Sequence, residues 1–235
     1  WNTSWGVSTR LIGGLVMTHG DDIGLRIPPL LAPIELVIVP IYRSDEERDR
    51  VLDAADRIVQ QLGDWERRDP GMLRVHLDDR EGMKPGAKYY EWELQGVPLR
   101  MEIGPRDLDS NQAVLVRRDT KEKKPVSLDS IGEDVNELLT RIQQDMLIAA
   151  RERREQHSIR KRISYDDFRS LMDGDGAFVY AGWCGGAECE SQIKEDTKAT
   201  IRVLPDEEFR SAEPPVTCLK CGRASIAEAV WAKAY

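Results

Sequence analysis

The stretch ELVIVPIY at residues 35–42 decides the fold class. Its apolar side chains follow one another without alternation, which is typical of a strand buried on both faces of a sheet. Directly after it, Ser44 and Glu47 have the spacing of a capping box, so a helix is predicted to begin here. The apolar face of that helix is formed by Val51, Ala55, Ile58, Val59 and Leu62.

Strand and helix patterns continue to alternate after this helix. Residues 72–77 (MLRVHL) predict a second strand and residues 86–95 (GAKYYEWELQ) a second helix. Two more strands are predicted at residues 98–104 and 112–118, with residues 105–111 as the turn between them. The order β-α-β-α-β-β predicts an α/β fold in which helices pack on a sheet.

The composition excludes several classes of protein. The chain has 235 residues, 40% of them hydrophobic and 32% charged, which suits one or two globular domains with real cores. A net charge of −8 argues against a general nucleic-acid coat protein. The longest apolar run, residues 36–41, is too short to span a bilayer, and no secretory signal is evident. We therefore expect a cytoplasmic protein without membrane partners, and the start at Trp1 favours a fragment of a longer chain.

Two charged features have open interpretations. Arg10 precedes the apolar run Leu11-Ile12, which is expected to be a core element, so Arg10 is either a phosphate-binding candidate or an ordinary surface arginine. A long amphipathic helix is predicted from about residue 131, and it continues into RERREQHSIRKR at residues 151–162. This run holds six basic and two acidic residues, and it is either a solvated helix face or a contact for a phosphate backbone.

Four cysteines carry the most specific local signal. Cys184 and Cys189 form one close pair, Cys218 and Cys221 another, and glycines stand beside both pairs. Two such pairs can supply four thiolates to one tetrahedral zinc ion, which would be structural because no coordination position stays open. Two disulfides or four unrelated thiols are the alternatives. No phosphate-cradling glycine motif, H-E-x-x-H pattern or complete catalytic constellation is present.

Several stretches together resemble one family. Residues 3–41 are similar to the last conserved motif of class II prolyl-tRNA synthetases of the archaeal/eukaryal type and to the link that follows it. Residues 75–108 resemble the heart of their anticodon-binding domain. Residues 184–203, 218–225 and the final 232–235 resemble their carboxy-terminal zinc-bearing domain, so the resemblance runs in order from end to end.

The resemblance implies three regions. Residues 1–33 are expected to be a remnant of the class II catalytic domain with a linker, and residues 34–128 an anticodon-binding α/β domain with a mixed five-stranded sheet flanked by helices. Residues 129–235 are expected to be a smaller α+β zinc-binding domain. The final residue, Tyr235, matches a position that folds back toward the catalytic domain in the family.

The resemblance also assigns residues to an ATP site. It implies that Arg10 is catalytic and clamps the ATP phosphates, that Ser8 contacts the nucleotide and that Trp5 lines the substrate pocket. Many relatives have threonine where this chain has Ser8, a change that keeps the hydroxyl. The other catalytic parts of the family lie outside this sequence, so the chain is expected to be inactive as a proline–tRNA ligase by itself.

The anticodon of a proline tRNA would be read by the middle region. The resemblance places the reading groups at Glu93, Arg100 and Arg106. Proline anticodons share two guanines, whose O6 and N7 accept from arginine and whose N1–H and N2–H donate to a carboxylate. A helix ending at Glu93 and a strand running from Arg100 to Arg106 would gather the three at one edge.

The partners follow from the same resemblance. The complete enzyme is expected to use proline, ATP with Mg²⁺ and tRNA(Pro), to hold a structural Zn²⁺ and to form a homodimer, whereas this chain alone is expected to be monomeric and not to bind DNA. The alternative is a stand-alone, non-catalytic tRNA-binding module built on the same anticodon-binding domain. The retained motif around Arg10 argues against that alternative.

Overall fold

The computed structural model describes residues 2–63, 66–67 and 71–233. Tyr235, for which a role was predicted, lies outside these residues. Contacts divide the chain into two compact units, Trp1–Ile148 and Ala149–Tyr235, called the first and second unit below. No described helix is long and apolar enough to cross a membrane.

A five-stranded mixed sheet organises the first unit, in the order β4-β1-β5-β6-β7. Strand β1 runs parallel to both of its neighbours, and β5, β6 and β7 pair antiparallel. This confirms the predicted mixed five-stranded sheet with helices. The elements in chain order are α1 (Arg10–His19), β1 (Leu36–Pro40), α2 (Asp45–Gly63), β2 (Glu66–Arg67), β3 (Gly71–Met72), β4 (Val75–Leu77), α3 (Pro85–Gln95), β5 (Leu99–Ile103), α4 (Pro105–Asp109), β6 (Gln112–Arg117), β7 (Lys123–Ser127) and α5 (Ile131–Gln156).

Strand β1 lies between two hydrophobic layers. Leu36 and Ile38 point into the larger core with the apolar face of α2, whereas Val37 and Val39 face a smaller cluster that contains Trp92 of α3. All four side chains are fully buried, as the unbroken apolar run predicted. The helix that follows begins as the capping box predicted, because the Ser44 Oγ accepts a hydrogen bond from the Glu47 N–H at 3.2 Å.

The structure departs from the predicted elements at three places. The second strand is shorter, at Val75–Leu77, while Met72 pairs in the separate two-stranded ribbon of β2 and β3. The predicted turn at residues 105–111 contains the short helix α4. Strand β7 was not predicted, because its sequence KKPVS lacks the apolar alternation of a half-buried strand.

The second unit is a four-stranded sheet with two helices, in the order β10-β11-β9-β8. Phe168, Met172, Ile193 and Trp231 are fully buried in its core. This confirms the smaller α+β region. Its elements are β8 (Ser158–Ile159), α6 (Tyr165–Asp173), β9 (Phe178–Trp183), α7 (Ala187–Thr197), β10 (Ala199–Val203) and β11 (Ala227–Lys233).

Helix α5 shows where the two cores divide. Its first half belongs to the core of the first unit, to which Ile131, Val135, Leu139 and Ile142 contribute fully buried or nearly fully buried side chains. By contacts, the two compact units separate at residues 148/149. The assignment of functional domains to residues 1–33, 34–128 and 129–235 stays a prediction.

The amino-terminal segment has two parts with different environments. Helix α1 has no buried residue, and the side chains of Leu11 and Ile12 are 61% and 65% exposed, so the expectation of a core element at this position is wrong for this chain. The segment that follows α1 is instead fixed to the first unit by hydrogen bonds. Arg118, which is buried, donates two hydrogen bonds to the carboxylate of Asp21 and one to the carbonyl of Glu93.

A buried carboxylate fixes helix α3 against the sheet. Asp78 directly follows β4, is fully buried, and accepts hydrogen bonds from Arg80 and from the indole N–H of Trp92 at 2.7 Å. The ammonium of Lys88, itself buried, donates to the Asp78 carbonyl at 2.8 Å and lies 3.4 Å from the carboxylate. Burial raises the pKa of Asp78, but the hydrogen bonds from Arg80 and Trp92 and the charge of Lys88 outweigh it and hold that pKa well below its usual range.

Replacement of Asp78 by alanine is expected to lower the free energy of unfolding by about 3–5 kcal/mol, because Lys88 is left buried without its counter-ion. Asp79→Ala is the matched control, since Asp79 is the next residue in the chain and is exposed. Urea denaturation of both variants measures the difference. Equal losses in the two variants would show that the buried network does not stabilise the first unit.

Candidate nucleic-acid interface and metal centre

Glu93 and Arg100, two of the predicted anticodon readers, meet in an ion-paired cluster. Glu93 lies in the last turn of α3 and Arg100 near the start of β5, and their side chains are joined at 2.9 Å. Lys121, in the turn between β6 and β7, approaches the second carboxylate oxygen of Glu93 at 3.0 Å. The sequence thus predicted the convergence of Glu93 and Arg100 correctly.

Arg100 has further partners on the sheet. Its guanidinium donates two hydrogen bonds to Glu102 and stacks over the ring of Tyr89, 4.0 Å from the ring centre. Lys123 reaches the other oxygen of Glu102 at 3.3 Å. We name this group of six side chains the α3–β5 cluster; it consists of Tyr89, Glu93, Arg100, Glu102, Lys121 and Lys123.

The electrostatics of the cluster keep Glu93 anionic. Burial raises the pKa of Glu93, but hydrogen bonds from Arg100 and Lys121 and their charges outweigh it and lower that pKa below its usual range. Burial, aided by the charge of Glu102, raises the pKa of Tyr89 to about 12, so its hydroxyl stays protonated at neutral pH. The cluster therefore presents one partly exposed carboxylate flanked by cations.

Arg106 occupies a different position from the predicted one. Strand β5 ends at Ile103, and Arg106 is an exposed residue of the short helix α4. Within the part of the chain that the structure describes, no hydrogen bond or ion pair joins Arg106 to Glu93 or Arg100. The expectation that the strand runs on to Arg106 is wrong, because Gly104-Pro105 ends the strand and begins a helix.

Four members of the cluster were missed in the sequence. Tyr89 stands four residues before Glu93 in a helix, and Glu102 stands two residues after Arg100 in a strand, so each shares a face with a predicted reader. These two could have been found by periodicity. Lys121 and Lys123 come from the β6–β7 hairpin, and without a predicted β7 no spacing pointed to them.

The residues predicted for an ATP site lie apart from this cluster in the chain and are exposed. Trp5 is 95% exposed, and Ser8 and Arg10 are exposed at the start of α1. Their side chains make no hydrogen bond or ion pair to any residue that the structure describes. Their roles stay predictions.

All four cysteines converge in the second unit. Cys184 follows β9, Cys189 lies in the first turns of α7, and Cys218 and Cys221 belong to a tight turn that precedes β11. Backbone bonds close that turn, since the Gly222 N–H donates to the Cys218 carbonyl at 3.0 Å. The four Sγ atoms lie within 4.8 Å of one another.

The sulfur geometry fits a tetrahedral metal. Zinc–sulfur bonds of about 2.3 Å at tetrahedral angles require sulfurs about 3.8 Å apart. The Sγ of Cys184 lies 3.7 Å from that of Cys189 and 3.8 Å from that of Cys221. A disulfide requires about 2.05 Å, so these pairs are free thiols placed at ligand distance. The donor set fits a structural Zn²⁺ with no open position.

Among the four thiols, that of Cys221 loses its proton most easily. Hydrogen bonds from Arg223, whose Nε lies 3.4 Å from the Cys221 sulfur, lower the pKa of Cys221 to about 6. Burial, together with the neighbouring thiols, raises the pKa of Cys189 to about 12. A cation bound among the four would reverse the second effect, because metal binding displaces thiol protons.

Comparisons with known proteins agree with both regions. A family model described as "Anticodon binding domain" matches residues 35–138, and one described as "Prolyl-tRNA synthetase, C-terminal" matches residues 165–235. The first match contains the whole α3–β5 cluster and the second contains all four cysteines. The chain is thus similar to an anticodon-binding domain over residues 35–138 and to the carboxy-terminal region of a prolyl-tRNA synthetase over residues 165–235.

Similar full-length proteins show which amino acid the related synthetases use. Proteins named "Proline--tRNA ligase" from Natranaerobius thermophilus and Christiangramia forsetii are both 44% identical to this chain, over 237 and 235 residues. One from Chlorobium chlorochromatii is 45% identical over 240 residues. Each alignment covers 100% of this chain but 46–48% of the relative, so the chain spans about half the length of the curated relatives it matches. Over its whole length, this chain is similar to about half of a prolyl-tRNA synthetase.

The metal assignment predicts one zinc ion per chain. Elemental analysis of the purified protein is expected to show this stoichiometry, and Cys218→Ser is expected to lower it strongly because the variant loses a thiolate ligand. The same substitution is expected to destabilise the second unit and leave the unfolding of the first unit largely unchanged, because the two have separate cores.

Thr217→Ser, one residue away, is the control for local disturbance of the turn. Full zinc content in Cys218→Ser, or two disulfides in the oxidised protein, would contradict the assignment.

Proposed function

We propose that this chain is the portion of a prolyl-tRNA synthetase that recognises the anticodon of tRNA(Pro), and that it contributes Arg10 to the ATP site of the complete enzyme. In that enzyme the carboxylate of proline attacks the α-phosphate of ATP, and pyrophosphate leaves. The prolyl group then passes from the adenylate to the tRNA. The two family matches and the end-to-end similarity to proline–tRNA ligases support this assignment.

The α3–β5 cluster carries the anticodon part of the proposal. Guanine presents N1–H and N2–H as a donor pair, for which an ionised carboxylate is the matching acceptor. Glu93 is ionised and partly exposed, with 21% of its side-chain surface accessible. One carboxylate oxygen of Glu93 pairs with Arg100 and the other with Lys121. Each oxygen retains a second acceptor position for a base.

The other members of the cluster divide between support and contact. Arg100 is mostly buried and already donates to two carboxylates, so we assign it first to orienting Glu93 and second to a base edge. Lys123 has 59% of its side chain exposed and can reach an RNA phosphate. Arg106, exposed on α4, is proposed to contact the same anticodon loop from its own position.

The ATP part rests on the exposed helix α1. Arg10 begins this helix, and its guanidinium can neutralise charge that develops on the ATP phosphates, with Ser8 on the nucleotide and Trp5 at the substrate pocket. Leu11, Ile12 and Met17 of the helix are each more than 60% exposed. A stand-alone tRNA-binding module has no need for such a helix, whereas a catalytic domain would cover it. This observation favours the synthetase over the alternative.

The remaining parts of the proposal concern cofactors and assembly. The four cysteines are proposed to hold a structural Zn²⁺, and ATP with Mg²⁺ and proline are used only by the complete enzyme. We propose that the complete enzyme is a homodimer, that this chain alone is a monomer without ligase activity, and that it acts in the cytoplasm.

A tRNA-binding experiment tests the proposal. Glu93→Ala is expected to weaken binding of tRNA(Pro) by about 5- to 150-fold, corresponding to the roughly 1–3 kcal/mol of a lost base-edge contact. The dependence of affinity on salt is expected to change little, since no phosphate contact is removed. Filter binding or fluorescence anisotropy across a salt series measures both quantities.

Glu46→Ala is the control, since this glutamate is exposed in the first turn of α2. A tRNA(Pro) transcript in which both shared guanines are replaced should bind the wild-type chain and Glu93→Ala equally. If Glu93→Ala and Glu46→Ala weaken binding to the same extent, the assignment of Glu93 is wrong.

A further inference from the structure

A run of basic residues in the second unit has no role in either site described above. It covers residues 151–162, from the end of α5 through β8 to the segment before α6. The run contains six basic and two acidic residues, whereas the whole chain has a net charge of −8. We call this run the basic segment.

Part of the basic segment has a structural duty. Arg160 stacks 3.8 Å from the centre of the Tyr180 ring and donates hydrogen bonds to the Tyr180 hydroxyl and to the Phe209 carbonyl. Glu155 pairs with both Arg154 and Arg160, and so joins the end of the helix to the segment after β8. These contacts fix Arg160 close to the carboxy-terminal end of α5.

The remaining cations have no such duty. Arg151, Arg153, Lys161 and Arg162 are exposed, and none forms an ion pair or hydrogen bond through its side chain with any residue in the described part of the chain. Basic residues in the last turn of a helix can be explained by the helix dipole. That explanation covers Arg153 but fails for Lys161 and Arg162, which lie beyond the helix, and for Arg151, more than one turn before its end.

Unpaired charge of one sign is unfavourable unless a partner of the other sign neutralises it. Because Arg160 is anchored to Glu155 and to the Phe209 carbonyl, the two residues that follow it in the chain, Lys161 and Arg162, start from a backbone position close to the end of α5, the helix that carries Arg151. A polyanion with closely and regularly spaced charges is the complementary partner, and an RNA backbone has that property.

We propose that Arg151, Lys161 and Arg162 bind the phosphate backbone of the tRNA whose anticodon is read by the α3–β5 cluster. The proposal rests on the proposed function for the identity of the RNA, but the contact itself is independent of base sequence. It assigns to the second unit a share of RNA affinity, whereas specificity stays with the first unit.

The test is a salt series on the full 235-residue chain. The triple variant Arg151→Gln, Lys161→Gln, Arg162→Gln is expected to bind tRNA(Pro) at least about tenfold more weakly at low salt, and to reduce the slope of log affinity against log salt by about 2, at roughly 0.7–0.9 per phosphate contact. The ratio of affinities for tRNA(Pro) and a tRNA with a different anticodon is expected to stay unchanged.

Arg169→Gln, Lys194→Gln, Lys198→Gln is the matched control, since it removes the same number of exposed cations from the same unit. Thermal unfolding of both triple variants verifies that they fold. Equal loss of affinity and slope in the two variants would overturn the proposal, because a general charge effect would then explain the result. The proposal would also be overturned if the basic-segment variant lost binding to vesicles that contain phosphatidylserine but bound tRNA(Pro) as tightly as the wild-type chain.

The outcomes separate this inference from the proposed function. A wild-type chain that binds tRNA(Pro) and other tRNAs equally contradicts anticodon reading, yet a slope reduced only in the basic-segment variant still supports the phosphate contact. A chain that prefers tRNA(Pro) while both triple variants keep the wild-type slope supports the proposed function and overturns the contact. A wild-type chain without affinity for any tRNA overturns both.

Discussion

The buried carboxylate of Asp78 is the constraint on which the first unit depends. It directly follows β4 and accepts a hydrogen bond from the indole N–H of Trp92, while the ammonium of Lys88 lies 3.4 Å away and donates to the Asp78 carbonyl; Trp92 and Lys88 both belong to α3. A buried charge must be neutralised and hydrogen-bonded, so these contacts favour the observed rotation of α3 against the sheet. That rotation also decides which face of α3 carries Tyr89 and Glu93 toward β5.

The candidate anticodon surface is thus built on rigid elements. Glu93 is held from three sides, by α3 itself, by Arg100 from β5 and by Lys121 from the β6–β7 turn. The Arg118 side chain donates hydrogen bonds to the Glu93 carbonyl and to Asp21. It therefore fixes the segment after α1 against the carboxy-terminal end of α3. A carboxylate positioned in this way needs little reorganisation to accept a base, which favours discrimination between bases.

Sequence reasoning succeeded where a local residue pattern strongly favours one structure. The apolar run at residues 36–39 favoured a doubly buried strand, and the two cysteine pairs favoured the convergence of four sulfurs over two disulfides or unrelated thiols. It failed where tertiary context decides. The sequence KKPVS gives no strand signal, yet β6 offers a free edge and pairs with it, which places Lys121 and Lys123 in the cluster. Helix α1 was expected to be buried because its sequence is apolar, but the described chain offers it no surface to cover.

The two regions for which we propose RNA contacts differ in how their charges are distributed. In the α3–β5 cluster, three cations meet two carboxylates, so the net charge is small and the cluster adds little long-range attraction for a polyanion. Its proposed role is to distinguish one donor pattern from another. In the basic segment the cations outnumber the acids and most are unpaired, which gives attraction without sequence information. A protein with a net charge of −8 repels RNA at a distance, so a localised excess of positive charge is required to offset that repulsion before bases can be read. If Glu93 and the basic segment act as proposed, separate residues serve attraction and reading, and specificity can be changed at Glu93 without loss of general affinity.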